Sequence, residues 1–140
     1  IFTVIVVSLS FINLQDIELG KGKNVKDSIE YLQENYSSSE IRLFNLYDYG
    51  GYIIYFSEGQ IKTFIDGRAE TAHSPKVVTD YLKIYYNTGD WEGILEKYKV
   101  NFALLPKTNY PRFLPQIYTS TNWVIEFEGD HSVLFRSAKF

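Results

Sequence analysis

The sequence predicts an α/β fold: a mixed, mostly parallel sheet flanked by helices, with a C-terminal antiparallel hairpin. Three observations point to it. Short runs rich in β-branched and aromatic residues at 41–46, 62–65 and 100–105 alternate with stretches whose apolar residues recur at helical spacing. Consecutive parallel strands need a crossover, which such helices supply. Near the end, Trp123-Val124-Ile125-Glu126-Phe127 and Ser132-Val133-Leu134-Phe135 flank Glu128-Gly129-Asp130-His131, the pattern of a hairpin on the sheet edge.

At the amino terminus, residues 1–12 carry no charge, and polarity returns at Asn13, Gln15, Asp16 and Glu18. As a helix such a run covers about 18 Å, short of the roughly 30 Å hydrocarbon core, so it reads as the end of a transmembrane helix. The alternative is a buried strand, because Val4, Ile5, Val6 and Val7 are β-branched. No Met opens the run and no basic residue precedes it, unlike a signal peptide, so the chain is expected to be the carboxyl-terminal part of something longer. Residues 13–140 are then one soluble α/β domain.

After a Gly20-Lys21-Gly22-Lys23 linker, Val25, Ile29, Leu32 and Tyr36 fall on one helical face, with Asn24 as N-cap and Asp27 and Glu30 near the positive end of the helix dipole. The strand at 41–46 leads into Tyr47-Asp48-Tyr49-Gly50-Gly51, and the run at 52–56 is expected to be a short buried helix capped by Asp48. Lys62-Thr63-Phe64-Ile65 is the next strand, ending at Asp66-Gly67-Arg68. Ser74-Pro75 opens a helix with cap and first-turn proline in their favoured places. Val77, Val78, Tyr81, Leu82 and Tyr85 form its inner face. Asn87-Thr88-Gly89 breaks the chain, Asp90 caps a second helix carrying Trp91, Ile94, Leu95 and Tyr98 on one side, and the strand at 100–105 stops at Pro106. Pro111 and Pro115 bracket a short helical or irregular piece.

Composition narrows the function classes. The 140 residues, 45% apolar and 22% charged, suit one globular core. Twelve Tyr, ten Phe and two Trp give many rings that can be covered while a polar edge stays wet. A net charge of −3 and the absence of any run of adjacent basic residues argue against nucleic acid as a partner. With no cysteine there is no disulfide, thiolate catalysis or thiolate-held metal. The two histidines lack ligand spacing to one another, so no metal site is assigned. No GxSxG, GxGxxG or GxxxxGK[ST] pattern occurs, no cofactor is called for, and no catalytic residue is assigned. Gly50-Gly51 is read as allowing close approach of two backbones rather than as a phosphate loop.

The densest polar cluster is Asp66, Arg68, Glu70 and His73, beyond the strand that ends at Ile65. Asp48 and Tyr49 follow the preceding strand in the same sense, so the two loops are expected to converge outside the strand ends. The candidate ligand-binding residues are Asp48, Tyr49, Asp66, Arg68 and Glu70, with Arg68 supplying a forked donor to a sugar or phosphate. The competing reading is a tight Asp-Gly-Arg turn whose charges pair and cap backbone. Asp66 and Glu70 are residue types that serve as acid and base, but two acidic residues in one loop are poor evidence for those roles.

Three segments occur in order with moderate gaps: Tyr47-Asp48-Tyr49-Gly50-Gly51-Tyr52-Ile53-Ile54, Lys62-Thr63-Phe64-Ile65-Asp66-Gly67-Arg68-Ala69-Glu70, and the stretch from Trp91-Glu92-Gly93-Ile94 to Asn101-Phe102-Ala103-Leu104-Leu105-Pro106. Together, over residues 40–137, they resemble the carboxyl-terminal soluble region of prokaryotic polytopic membrane proteins related to the GT-C superfamily of lipid-linked-sugar glycosyltransferases. The resemblance implies a membrane-anchored domain on the extracytoplasmic side, partnered by its own transmembrane region. It also implies that the catalytic acidic residue lies in a loop between early membrane helices, outside these residues. The expected function is a noncatalytic extramembrane domain of a glycosyltransferase-like membrane protein, assisting binding of a lipid-linked sugar or glycan acceptor. The alternative is a structural or protein-interaction domain that packs on its own membrane body or a partner through Tyr85, Tyr86 and Trp91. A free-standing small enzyme is the third reading. A polar pocket walled by aromatics beside Asp48 and Asp66 would favour the first, and a flat apolar patch the second.

Overall fold

Leu43, Phe102, Leu104 and Leu134 face one core, while their neighbours Phe44, Ala103, Leu105, Val133 and Phe135 face another. Alternate side chains of a strand point to opposite faces, so continuous apolar runs are what a sheet covered on both sides requires. A computed structural model describes residues 14–107 and 112–140, without the side chains of 14–24 and Glu70. The expected transmembrane end or strand at 1–12 lies outside the described residues, as does Pro111.

In chain order the elements are α1 (Leu14–Asn35), β1 (Leu43–Asn45), a 3-10 turn (Tyr47–Tyr49), α2 (Gly50–Phe56), α3 (Ala69–Ala72), α4 (Pro75–Tyr86), α5 (Trp91–Lys97), β2 (Phe102–Pro106), α6 (Leu114–Thr119), β3 (Trp123–Glu128) and β4 (Ser132–Ser137). The sheet order is β1-β2-β4-β3. Leu43 pairs with Phe102 in a parallel register, and β2 pairs antiparallel with β4, which forms the predicted hairpin with β3. The mixed sheet with helices on its faces is therefore as the sequence predicts. Where a mostly parallel sheet is expected, the β1–β2 pair alone of the three is parallel, joined by the long crossover through α2 to α5, because β4 enters between β2 and β3 and pairs antiparallel with both.

One core holds Val25, Ile29 and Leu32 of α1 and Ile53 of α2; the other holds Tyr81 and Ile84 of α4, Trp91 and Leu95 of α5, and Leu114 and Ile117 of α6. Two predicted caps are present: Ser74 Oγ accepts from the Val77 amide at 3.4 Å and Asp90 from the Gly93 amide at 2.9 Å. Asn87 ends α4 in the left-handed region, with φ of 52°, where an Asn side chain is better tolerated than most.

The structure corrects three local expectations. The helix α1 runs through Gly20 and Gly22, so no linker separates it and Asn24 is interior rather than a cap. A helical glycine costs about 1 kcal/mol relative to alanine, which weakens a helix without ending it. Glu30 accordingly sits mid-helix, 3.5 Å from Lys26 one turn back. Second, the N-cap of α2 is Tyr49, without a side-chain cap bond, and Asp48 lies in the preceding turn. Third, the expected strand at 62–65 is reduced to an isolated bridge between Thr63 and Leu43. The Asn45 side chain takes the place of the missing ladder: Oδ1 accepts from the Phe64 amide at 2.8 Å and Nδ2 donates to the Ile65 carbonyl at 2.7 Å.

Candidate functional site

Asn45 is fully buried at the end of β1, and its two bonds fix the segment that carries Asp66. Ile61 and Ile65 anchor the same segment in opposite cores. Asp66 is 2% exposed, a position a carboxylate occupies only when its lone pairs are filled. They are. Oδ1 accepts from the Arg68 amide at 2.9 Å and from Arg68 Nε at 3.0 Å; Oδ2 accepts from Arg68 Nη2 at 2.9 Å. Thr63 Oγ1 donates at 3.3 Å, and His73 Nε2 lies at 3.3 Å. The Arg68 side-chain bonds, outweighing the cost of burial, hold the Asp66 carboxyl well below its usual range. Asp66 is thus ionised and closes a tight turn, as the competing reading of the sequence has it. Arg68 nevertheless keeps a side chain that is 66% exposed, with Nη1 bonded to no acceptor among the described residues.

The two loops converge at Gly50. A Cβ built there would lie 2.5 Å from the Ile65 carbonyl oxygen and 2.6 Å from the Asp66 Cα, so only glycine lets the backbones meet this closely. The sequence reading of close approach holds for Gly50; around Gly51 there is open space. A second tie lies above it, where Tyr47 Oη donates to the Gly67 carbonyl at 3.2 Å. The Tyr47 amide in turn donates to Tyr81 Oη of α4 at 3.1 Å.

Between these loops and α4 opens a cleft of about 640 Å³. Tyr47 and Tyr81 wall it, Gly67, Arg68 and Thr71 supply polar groups, and Val78 and Leu82 of α4 form an apolar side. It lies at the C-terminal end of β1, where ligands of open α/β sheets commonly sit.

Of the five candidate residues, Asp66 and Arg68 are brought together and Arg68 lines the cleft. Asp48 is exposed in the 3-10 turn. Tyr49 turns inward to the α1–α2 core, where burial, reinforced by the Asp48 charge, pushes its hydroxyl up to about 12. Glu70 lies in α3, its side chain outside the described residues. Of the two tyrosines in Tyr47-Asp48-Tyr49 it is Tyr47 that lines the cleft, and sequence reasoning did not single it out. The signal available was the Tyr-Asp-Tyr triplet itself, whose outer members differ in facing once a single turn of 3-10 helix is assumed.

Two further carboxylates, the buried Asp80 and the partly buried Glu126, serve packing. Asp80 accepts from Lys97 Nζ and, at 2.8 Å, from Tyr98 Oη, joining α4 to α5. Glu126 accepts from Tyr36 Oη, from Tyr31 Oη at 3.0 Å and from Arg136 Nε at 2.8 Å, joining α1 to the hairpin. The pairing of Ile125 with Phe135 and Phe127 with Leu134 leaves Glu126 as the extra residue of a bulge, a device that re-aims a side chain. Among the described residues no group of three or more His, Asp or Glu is arranged to hold a metal ion.

Searches by sequence find no matching family model and no matching curated protein. Among solved structures the chain is similar to the C-terminal globular domain of an oligosaccharyltransferase from Archaeoglobus fulgidus, with a TM-score of 0.55 and 15% identity, covering 81% of this chain and 96% of that domain. The shared property is the fold. It extends over nearly the whole of that globular domain, so the likeness belongs to a complete folding unit rather than to one motif. Among the described residues no helix is long and apolar enough to cross a membrane.

Proposed function

We propose that this chain is the noncatalytic extramembrane domain of a glycosyltransferase-like membrane protein, and that its cleft assists binding of a lipid-linked sugar or its acceptor. The observation that carries the reading is the cleft between the joined loops, on a fold shared with the oligosaccharyltransferase domain. In this reading the domain is anchored on the extracytoplasmic side and packs on its own transmembrane region, which supplies the catalytic acid. Within the cleft, Arg68 offers the donors of Nη1, the tyrosines offer ring surface, and α4 offers an apolar side, a combination suited to an amphiphilic ligand with a hydroxyl-rich head.

The interaction-domain alternative draws less from the structure. Of its three aromatics, Trp91 is 8% exposed and packs on Phe113 at 5.7 Å, and Tyr85 is half-buried against Tyr81. Tyr86 alone of the three is open, with the Arg112 guanidinium 5.7 Å from its ring centre.

Calorimetric titration with nucleotide sugars, polyprenyl-phosphate head-group analogues and short glycans tests the proposal, comparing the natural chain with Arg68→Lys. Lysine keeps the charge and a bond to Asp66 but loses the forked donor, so affinity should fall roughly tenfold with the circular dichroism spectrum unchanged. A folded chain that binds nothing in the panel at millimolar concentration contradicts the proposal and puts the interaction domain ahead.

A further inference from the structure

Tyr47 is 42% exposed, yet it is held at both ends: its amide donates to Tyr81 Oη at 3.1 Å and its hydroxyl to the Gly67 carbonyl at 3.2 Å. An exposed ring that is already immobilised loses little rotamer freedom when something stacks on it, which is the energetic signature of a prepared platform.

The charges of the cleft point to the class of ligand. Among its described lining residues Arg68 is the one cation. Its Nε and Nη2 are committed to the buried carboxylate of Asp66, so the formal sum of the pair is zero. A phosphate or pyrophosphate needs uncompensated positive charge or several converging amides. Neutral hydroxyls do not. Arg68 Nη1 can donate to them, and Thr71 Oγ1, which donates to the Arg68 carbonyl at 3.1 Å, can still accept. The apolar CH face of a pyranose matches the Tyr47 ring, with Val78 and Leu82 opposite.

Building on the reading of the cleft as a substrate-handling site, we propose that it takes a neutral saccharide ring stacked on Tyr47, and that any phosphate of a lipid-linked donor lies outside it. Tyr47 is then the specificity-determining residue, and Arg68 and Thr71 read the hydroxyls.

Saturation-transfer NMR of the whole chain with neutral monosaccharides and disaccharides, and separate titration with inorganic pyrophosphate, test this. The expected result is transfer to at least one neutral saccharide, with pyrophosphate neither binding in the cleft nor displacing it. Tyr47→Ala should weaken the saccharide by about tenfold or more, while Tyr47→Phe, which keeps the ring and loses the Gly67 tie, should stay within roughly threefold. Binding of pyrophosphate alone at the Tyr47 and Arg68 amides overturns the saccharide assignment while leaving a substrate-handling cleft. Saccharide binding that Tyr47→Ala leaves intact overturns the platform. Binding of neither probe overturns both this inference and the reading on which it rests.

Discussion

Asp66 shows how one buried side chain can serve both stability and a site. Its bonds from Arg68, Thr63 and His73 hold the loop, and they also decide how much of Arg68 faces the cleft. Replacing it by Asn keeps the shape but sets an amide donor against the Arg68 donors, and should cost about 2–3 kcal/mol at neutral pH by chemical denaturation. The folded-state pKa of Asp66 is depressed, so its contribution is present above the unfolded value and is lost as pH falls. The gap between the natural chain and Asp66→Asn should therefore be full at pH 7 and narrow progressively below about pH 4. Gly50 is the other decisive residue. Gly50→Ala sets a methyl against the Ile65 carbonyl and the Asp66 backbone, neither of which can rotate away, and should cost about 3 kcal/mol in the same assay. The Gly-Gly pair was legible as a close approach, but which glycine makes it was not, because that depends on the phase of a single turn. The same phase hid Tyr47, since Tyr-Asp-Tyr carries no periodicity long enough to tell the inward ring from the outward one.

Elements with their own local signals were readable in advance. Ser74-Pro75 and Asp90 mark the starts of α4 and α5, and the caps are where those residues predict them. The hairpin followed from Gly129 between two runs rich in β-branched and aromatic residues, and its Gly129 amide does donate to the Ser132 carbonyl at 3.0 Å. Elements that depend on distant partners were not readable. The helix α1 continues through two glycines. The segment at 62–65 has the composition of a strand, yet its backbone is satisfied largely by the Asn45 side chain, a bond between residues 19 and 20 positions apart. An Asn ending an apolar strand looks like a turn residue, and nothing nearby announces its role. Asn45→Ala should leave the Phe64 amide and Ile65 carbonyl without these partners and cost about 2–3 kcal/mol. The same substitution should speed hydrogen exchange at Phe64 while leaving β2 and β4 protected. Equal loss of protection throughout the sheet would show that Asn45 supports the whole fold instead.

At the scale of the molecule, the sheet is enclosed between α1 and α2 on one face and α4, α5 and α6 on the other. That division places the cleft at the end of β1, beside α4, and leaves the Glu126 cluster to lock α1 onto the hairpin on the opposite side. The continuous apolar runs in 102–105 and 133–135 suit burial of both faces, because a strand with one solvated face would alternate with polar residues. The pairing order was less accessible, since β2 and β4 are brought together by tertiary packing rather than by a local turn. The likeness to the oligosaccharyltransferase domain, over 81% of this chain, is a likeness of fold. The most direct test of the central claim, that the cleft handles substrate, is an amide NMR titration of the chain with short glycans. The account predicts shifts concentrated at Tyr47, Gly67, Arg68 and Thr71, with the Asp80 and Glu126 clusters unmoved. Shifts that instead gather around Tyr86 and Arg112, or none at millimolar glycan from a folded chain, would contradict it.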